Sequence, residues 1–221
     1  MPHEAYHRVD DPSIELLVTR IALVAFDGMD LLDTGGPYEV LLTAGRLLAR
    51  SGLHDAMEIE LAGLRVGPVK AYGGLSLNAT RALADVMATD VVIVPGAVNI
   101  DALVANTELL AEVTRLAGIA SITMSVCTGS FLLGAAGLLD GRAWTTHHED
   151  VEGLSALIGP VGAHPDCRWV DSGSIVTGGG LSSGIAAALH LVERLHGREL
   201  AVRTAKQIEY AWDPDDGVID D

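Results

Sequence analysis

Cysteine and basic residues are both scarce in this sequence, and each scarcity excludes a class of protein. Only two cysteines occur among 221 residues, Cys127 and Cys167, so a disulfide-stapled scaffold is excluded. There are 14 basic residues against 30 acidic ones, which gives a formal net charge of −16. Because such a surface repels phosphate backbones and anionic lipid, we expect neither nucleic acid nor a membrane as a partner.

Long apolar runs are missing as well. The opening residues, MPHEAYHRVDDPSIE, have no apolar core of the signal-peptide kind, and no later run of about 18 uncharged apolar residues occurs. We therefore expect a cytoplasmic protein with reduced thiols. Both ends are polar, so we expect residues 1–17 and the acidic residues 213–221 to be solvated tails of a single domain formed by residues 18–212.

Within that domain, short β-branched runs alternate with longer helical patterns, which predicts parallel βαβ units and an α/β fold. The runs VTRIALVAF, MEIELAGL, DVVIVPGA and ASITMSV predict strands, and AWTTH predicts a further short one. Proline suits the first turn of a helix, so the first helix is predicted from Pro37 to about Arg50. A later helix is predicted over Thr128–Leu139.

Cys127 lies in the segment SVCTGSFLLGAAG, between a strand-like run and a glycine-punctuated apolar helix. Ser125 and Gly129 flank it two residues away on either side, the pattern of small residues that permits a sharp nucleophile elbow. A sulfur at that turn faces the positive end of a helix dipole, so we expect a thiolate, with the N–H of Thr128 available to a developing anion. The spacing leaves open a second interpretation, a buried structural cysteine.

A second strand end carries further candidates. The run DVVIV is followed by Pro-Gly-Ala, and a glycine there lets the backbone approach a bound group. The amides of Gly96 and Ala97 could therefore complete an oxyanion site, although an ordinary strand-to-helix turn explains the same residues equally well.

Three aspartates follow the first predicted strand. A carboxylate near a thiolate can hold a proton, because like charge and burial both raise its pKa, and it can then act as a general acid. Spacing does not choose among Asp27, Asp30 and Asp33. Asp27 and Asp30 also fit a solvated loop, and Asp33 also fits a helix cap.

Other polar features favour structural roles. The segment TGGGLSSG has neither G-x-G-x-x-G spacing nor a following lysine, so it predicts a tight turn rather than a nucleotide loop. His147 and Asp150 stand at helical spacing without a distant third ligand, so we expect no metal. His190 and His196 lie on different faces of one predicted helix, and Cys167 stands beside charges with no helix after it. We expect these three side chains to be structural.

Five motifs carry a resemblance to a known family. LDTGGPYEVL, DVVIVPGA, SVCTGSFLLGAAGLLDGRAWTTH, IVTGGGLSSGIAAALHLVERL and QIEYAWDP occur in this order between Arg20 and Pro214. In that order they resemble the DJ-1/PfpI superfamily, and within it the isonitrile hydratases. The resemblance implies a flavodoxin-like three-layer sandwich with a mostly parallel central sheet and a nucleophile elbow after a central strand.

The same resemblance implies a chemistry. Cys127 aligns with the nucleophile and Asp33 with the hydratase acid, while Gly96, Ala97 and Thr128 fall at oxyanion or substrate-binding positions. The implied protein is a homodimer that hydrates a small-molecule isonitrile to an N-substituted formamide without a cofactor.

Four residues depart from the hydratase pattern. Ala97 replaces a glycine, Gly35 stands where threonine is usual, His148 replaces a common tryptophan, and Ala186 replaces a common acidic residue. These departures keep open a stand-alone sensing domain, related to the sensor domains of AraC-type regulators. Glyoxalase-like chemistry, or peroxide sensing at the same thiol, also stays open.

Overall fold

Alternating strands and helices make up the protein in the computed structural model, which describes residues 18–53 and 56–220. The predicted N-terminal tail, residues 1–17, lies outside the described residues. The described strands are β1 (Thr19–Ala25), β2 (Met57–Gly63), β3 (Gly67–Lys70), β4 (Ser76–Ala79), β5 (Arg81–Ala82), β6 (Val91–Val94), β7 (Ile122–Val126), β8 (Trp169–Ser172), β9 (Ile175–Gly178) and β10 (Gly217–Ile219). The described helices are α1 (Leu31–Arg50), α2 (Ile100–Ala105), α3 (Thr107–Ala117), α4 (Gly129–Ala135), α5 (Val151–Ile158), α6 (Ser183–His196) and α7 (Arg198–Gln207).

Eight of these strands form one sheet in the order β10-β8-β9-β7-β6-β1-β2-β5. Neighbouring strands pair in parallel except β8 and β9, which form an antiparallel hairpin. β3 and β4 form a separate antiparallel pair. The prediction of an α/β fold with a mostly parallel central sheet is confirmed.

Helices cover both faces of this sheet. Ile21 and Leu23 of β1 pack in a cluster with residues of α1, α6 and α7, whereas Ala22 and Val24 pack in a second cluster with residues of α2 to α5. The alternation follows from the period of two along a strand. Because central strands are buried on both faces, their sequences are nearly continuous apolar runs. The result is the predicted three-layer sandwich.

α1 begins earlier than predicted, at Leu31 rather than at Pro37. Pro37 lies inside the helix, where it removes the N–H that would otherwise reach the carbonyl of Asp33. The turn before Pro37 is nevertheless helical, and the N–H of Asp30 donates to the carbonyl of Gly96 at 2.9 Å just ahead of it. Asp33 therefore stands in the first turn of a helix and not in a loop.

Two other predicted elements differ from the structure. AWTTH forms only a single bridge between Trp144 and Ala163, and the helix after Cys127 ends at Ala135 rather than at Leu139. Gly137, with a φ of 71°, takes the chain out of helical geometry soon afterwards. At the C-terminal end, Gly217–Ile219 pair with β8, so this segment forms an edge strand where the sequence predicts only a solvated tail.

A buried polar network joins α6 to β8. His190 Nε2 lies 2.6 Å from Asp171 Oδ2, and Arg194 Nη1 donates to both carboxylate oxygens of Asp171 at 2.9 Å. The His190 ring stacks on Trp169 with ring centroids 3.6 Å apart. His190 thus has polar and aromatic partners inside the core. In the described part of the chain, no helix combines the length and the apolar character that a membrane span requires.

Candidate active site

Cys127 occupies a sharp turn between β7 and α4. Its φ of 55° lies in the left-handed region, which is strained for a residue other than glycine and is typical of a nucleophile elbow. The Cys127 N–H donates to the carbonyls of Gly178 and Gly179, at 3.1 and 3.0 Å, at the end of neighbouring β9. The backbone of the turn is therefore held by the sheet.

Gly129 explains why the turn needs small residues. A Cβ at this position would lie 2.3 Å from the carbonyl oxygen of Val94 and 2.9 Å from that of Pro95. Only glycine lets the start of α4 pass so close to the end of β6. The spacing around Cys127 therefore reflects a close backbone approach between two central strand ends.

Asp33 lies beside the thiol. Its side chain is fully buried, its Oδ2 accepts the N–H of Gly96 at 3.0 Å, and its Oδ1 has no hydrogen-bond partner. The carboxylate oxygens of Asp30 and Asp33 and the Sγ of Cys127 lie within 4.8 Å of one another. Asp27, in contrast, is exposed and accepts the N–H of Lys70 at 2.8 Å. The structure thus brings two of the three candidate aspartates to the thiol.

Burial controls the protonation of this cluster. It raises the pKa of Asp33 to about 7, against the opposing effect of the Gly96 N–H, and the charge of Asp30 raises it further. Burial and the charge of Asp33 raise the pKa of Cys127 to about 12. The N–H groups of Thr128 and Leu181 favour the thiolate but do not outweigh these effects.

The expectation of a thiolate in the free protein is therefore wrong. Burial and the charge of Asp33 both raise the pKa of the Cys127 thiol, which favours the protonated sulfur over the thiolate. The physical reason is first the burial of the sulfur, which disfavours its charged form, and second the charge of the Asp33 carboxylate within 4.8 Å of it. The Cys127 thiol and the Asp33 carboxyl lie close enough for a proton to pass between them.

The three predicted oxyanion residues make hydrogen bonds to one another and to Asp33. Thr128 Oγ1 donates to the carbonyl of Ala97 and accepts the Ala97 N–H, both at 2.8 Å, and the Gly96 N–H donates to Asp33. A Cβ on Gly96 would lie 2.4 Å from Thr128 Oγ1. The amides of Gly96 and Ala97 already have protein acceptors, so the geometry gives them a positioning role rather than that of free anion donors.

A cavity of about 290 Å³ opens onto Cys127 and Thr128. Part of its wall is apolar, from Val98, Ile100 and Leu181, and part is polar, from Asp30, His147, Glu149 and Asp150. Sequence analysis missed Leu181, although the turn signal of TGGGLSSG marks its position and its φ of 41° is left-handed. The sequence indicates His147 only as a possible metal ligand with Asp150, without a connection to the thiol.

His147 is held from two sides. Its Nδ1 lies 3.2 Å from Asp150 Oδ2, and its ring packs so closely on Gly180 that a Cβ there would lie 2.3 Å from Cδ2. Burial raises the pKa of Asp30, and the nearby His147 partly offsets this effect. His148, at the position where tryptophan is common, stacks obliquely on His147 with centroids 4.4 Å apart.

Two sets of side chains could offer donor atoms to a metal ion. The donor atoms of His147, His148 and Glu149 lie within 4.8 Å of one another, as do those of the thiol–carboxylate cluster. The first set consists of three consecutive residues of one turn, and the second is the thiol–carboxylate cluster itself. We assign a metal to neither. Cys167 lies beside Pro165 and Ser182 in a neighbouring groove, which shares His147 and Leu181 with the cavity at Cys127. Burial, followed by the charge of Asp166, raises the pKa of Cys167.

Comparisons with known proteins agree with this architecture. The chain is 35% identical to an isonitrile hydratase of Pseudomonas putida over 201 residues, 90% of this chain and 81% of that protein. It is 32% identical to the transcriptional regulator CdhR of Pseudomonas aeruginosa over 64% of this chain but only 41% of the regulator. A crystal structure of a ThiJ/PfpI family protein from Pseudomonas syringae superposes with a TM-score of 0.77 at 26% identity, covering 96% of this chain and 85% of that one. The DJ-1/PfpI family profile matches residues 19–194, and the chain belongs to the DJ-1/PfpI family.

Proposed function

We propose that this protein is a cysteine-dependent hydratase that converts an isonitrile to an N-substituted formamide. The observation that carries the proposal is the buried Asp33 carboxyl within 4.8 Å of the Cys127 sulfur, with one oxygen free of any protein partner. The 35% identity to an isonitrile hydratase supports the same reaction. A protonated thiol beside a carboxyl whose pKa is about 7 can deliver both a sulfur and a proton to one carbon.

The first half of the reaction adds the S–H group across the isonitrile carbon. The sulfur of Cys127 forms a bond to the terminal carbon of R–N≡C, and the thiol proton passes through Asp33 to that same carbon. The product is a thioimidate, R–N=CH–S–Cys127. Asp33 takes the proton as the C–S bond forms, so a free thiolate with a pKa of about 12 need not accumulate first.

The second half consumes water. Water adds to the thioimidate carbon, the nitrogen gains a proton, and the C–S bond breaks to release R–NH–CHO and the Cys127 thiol. Isonitrile plus water equals formamide, so the atoms and electrons balance with no oxidant or reductant. Thr128 and Leu181 direct N–H groups toward the sulfur, where negative charge appears as the C–S bond breaks.

The cavity favours a small substrate with an apolar substituent. Its volume of about 290 Å³ lies at the lower end of the range for ligand sites, and Val98, Ile100 and Leu181 give it apolar walls. Ala97 also lines this space, at the position where the resemblance leads one to expect glycine. We propose simple alkyl and aryl isonitriles as the substrate class.

The decisive experiment is turnover of cyclohexyl isonitrile, with the formamide measured by chromatography and mass spectrometry. We expect Cys127→Ala to lower the rate by about 10³-fold or more, because no other group replaces the nucleophile. Cys167→Ala is the matched control, since this second thiol does not line the cavity at Cys127, and it should turn over like the unmodified protein. Absence of formamide, or formation that survives Cys127→Ala, would rule out the proposed reaction.

A second candidate function is a ligand-sensing domain without turnover. Its specific support is the resting thiol, whose pKa of about 12 is that of a buried and not of a pre-ionised cysteine, together with the similarity to the regulator CdhR. The sensing function predicts that an isonitrile or another small electrophile raises the midpoint of thermal unfolding while no product appears. The hydratase function predicts product formation over many turnovers.

We also propose that two copies of the chain associate. Leu31, Leu32 and Tyr38 of α1 expose between 38 and 43% of their surface, which leaves apolar area on one helix. Light scattering coupled to gel filtration should give twice the mass of one chain. A single-chain mass across the working concentrations would contradict the proposal.

A further inference from the structure

The two carboxylates beside Cys127 have different surroundings. Asp33 is fully buried, and the wall of the cavity does not include it. Asp30 is half-buried and forms part of that wall, next to Cys127. Both carboxylates nevertheless lie within 4.8 Å of the Cys127 sulfur. A molecule in the cavity therefore meets Asp30, whereas a proton leaving the sulfur can reach Asp33 without entering the cavity.

The Asp30 side chain does not cap the start of α1. Asp30 precedes α1 in the capping position, but its carboxylate makes no capping hydrogen bond. Its backbone, in contrast, is fixed, because its N–H donates to the carbonyl of Gly96 at 2.9 Å. The carboxylate is thus held at the cavity wall by the backbone and left available to a water molecule or a substrate.

The proposed reaction needs a base in two places. Addition of the thiol requires a proton to move from sulfur to the neighbouring carbon, which the buried Asp33 can do. Hydrolysis requires a group that touches the incoming water, and that water arrives from the cavity. A general base must stand within hydrogen-bond reach of the proton it takes, directly or through one water. A carboxylate oxygen of Asp30 lies within 4.8 Å of the sulfur to which the thioimidate carbon would be bonded, and Asp30 lines the cavity through which the water enters.

We propose that Asp30 is the general base for hydrolysis of the thioimidate. This inference rests on the proposed hydration of an isonitrile. The Asp30 carboxylate takes a proton from water as the water oxygen bonds to the thioimidate carbon. The same proton then passes to the nitrogen, the C–S bond breaks, and the second water proton returns to the sulfur as the formyl carbonyl forms. Asp33 serves the first half of the reaction and Asp30 the second.

The surroundings of His147 support this division. The contact of its Nδ1 with Asp150, at 3.2 Å, and its packing against Gly180 fix the ring at the cavity wall that it shares with Asp30. Burial raises the pKa of Asp30, and the electrostatic interaction with His147 partly offsets this effect toward the ionised form that a base requires. A displaced ring would leave Asp30 in place but more readily protonated.

The test separates the two half-reactions by rapid quenching and intact-protein mass spectrometry. We expect Asp30→Asn to form a Cys127 adduct, heavier by one isonitrile molecule, at a rate close to that of the unmodified protein. Release of formamide should then slow by about 10²-fold or more, so that the adduct accumulates to about one per chain. Asp33→Asn should instead slow adduct formation itself. His147→Gln should also accumulate adduct, but to a smaller extent.

Asp27→Asn is the matched control, because Asp27 belongs to the same loop, is exposed, and keeps an amide oxygen for the Lys70 N–H after substitution. It should behave like the unmodified protein in both steps. Asp30 makes no capping hydrogen bond, and burial raises its pKa, so Asp30→Asn should not lower the thermal unfolding midpoint.

Three outcomes would overturn the inference. Unchanged formamide release from Asp30→Asn would remove Asp30 from the reaction, while the proposed function would stand. Slower adduct formation without accumulation would place Asp30 in the first half-reaction. If the unmodified protein forms neither adduct nor formamide, the proposed function fails and the role of Asp30 fails with it.

Discussion

The buried carboxyl of Asp33 makes a quantitative prediction about stability. Asp33→Asn removes a group whose pKa is about 7 in the folded protein but 3.8 in the unfolded chain. Asparagine keeps an oxygen that can accept the N–H of Gly96, and it does not titrate. The substitution therefore removes the contribution of Asp33 titration to the free energy of unfolding and largely preserves the packing.

The sign and size follow from proton linkage. Between pH 3.8 and about 7 the folded protein holds a proton on Asp33 that the unfolded chain has lost. The stability contributed by this proton is full at low pH and is lost as the pH rises through the folded-state pKa, at about 1.4 kcal/mol per pH unit. From about pH 5.5 to about pH 8 the loss is about 2 kcal/mol, because the slope ends near pH 7. The thiol of Cys127 stays neutral throughout this interval and adds nothing.

Urea unfolding at several pH values measures this difference. The free energy of unfolding of Asp33→Asn minus that of the unmodified protein should increase by about 2 kcal/mol between about pH 5.5 and about pH 8, then stay level. Asp27→Asn, which removes an exposed carboxylate from the same loop, should show no such trend. A pH-independent difference for Asp33→Asn, within about 0.5 kcal/mol, would refute the raised pKa and with it the proton transfer assigned to Asp33.

Two further predictions concern packing. Gly129→Ala should destabilise the fold by about 3 kcal/mol or more in urea unfolding, because the new Cβ would lie 2.3 Å from the carbonyl oxygen of Val94. Its control, Gly35→Ala, meets no atom within 4 Å inside α1 and should stabilise by about 0.5–1 kcal/mol; equal effects of the two would contradict the reasoning. His190→Ala should cost about 3 kcal/mol by removing a buried hydrogen bond to the Asp171 carboxylate and a stacked ring, while the alkylation rate of Cys127 stays unchanged; a loss below about 1 kcal/mol would mean that the network relaxes freely.

The central strands of the sheet could be predicted from the sequence because their residues are all buried. Val91–Val94 is entirely apolar, and Ile122–Val126 interrupts its apolar residues only with the small polar side chains of Thr123 and Ser125. The structure buries all residues of both strands. Local composition is then sufficient to predict both the strands and the elbow that follows the second of them.

The ends of elements were less predictable, since tertiary contacts determine them. The start of α1 depends on a hydrogen bond from Asp30 to Gly96, which lies far along the chain, and Pro37 alone suggests a later start. β10 has three residues in an acidic segment. It is recognised by its backbone pairing with β8, because its sequence has no hydrophobic pattern typical of a strand. A short edge strand buries little apolar surface, so its sequence carries little sign of it.

The protonation state of Cys127 could not be predicted from the local sequence either, because distant residues determine it. The motif around Cys127 correctly predicts a turn at a helix start, and from that turn alone a thiolate is the reasonable expectation. The pKa of the thiol is raised, however, first by burial and then by the charge of Asp33, which reaches the turn from α1. The same carboxylate that prevents ionisation of the resting sulfur supplies the acceptor for its proton when a substrate arrives. In this arrangement reactivity would come from a proton transfer made during attack, so the resting pKa of Cys127 is not a measure of its competence as a nucleophile.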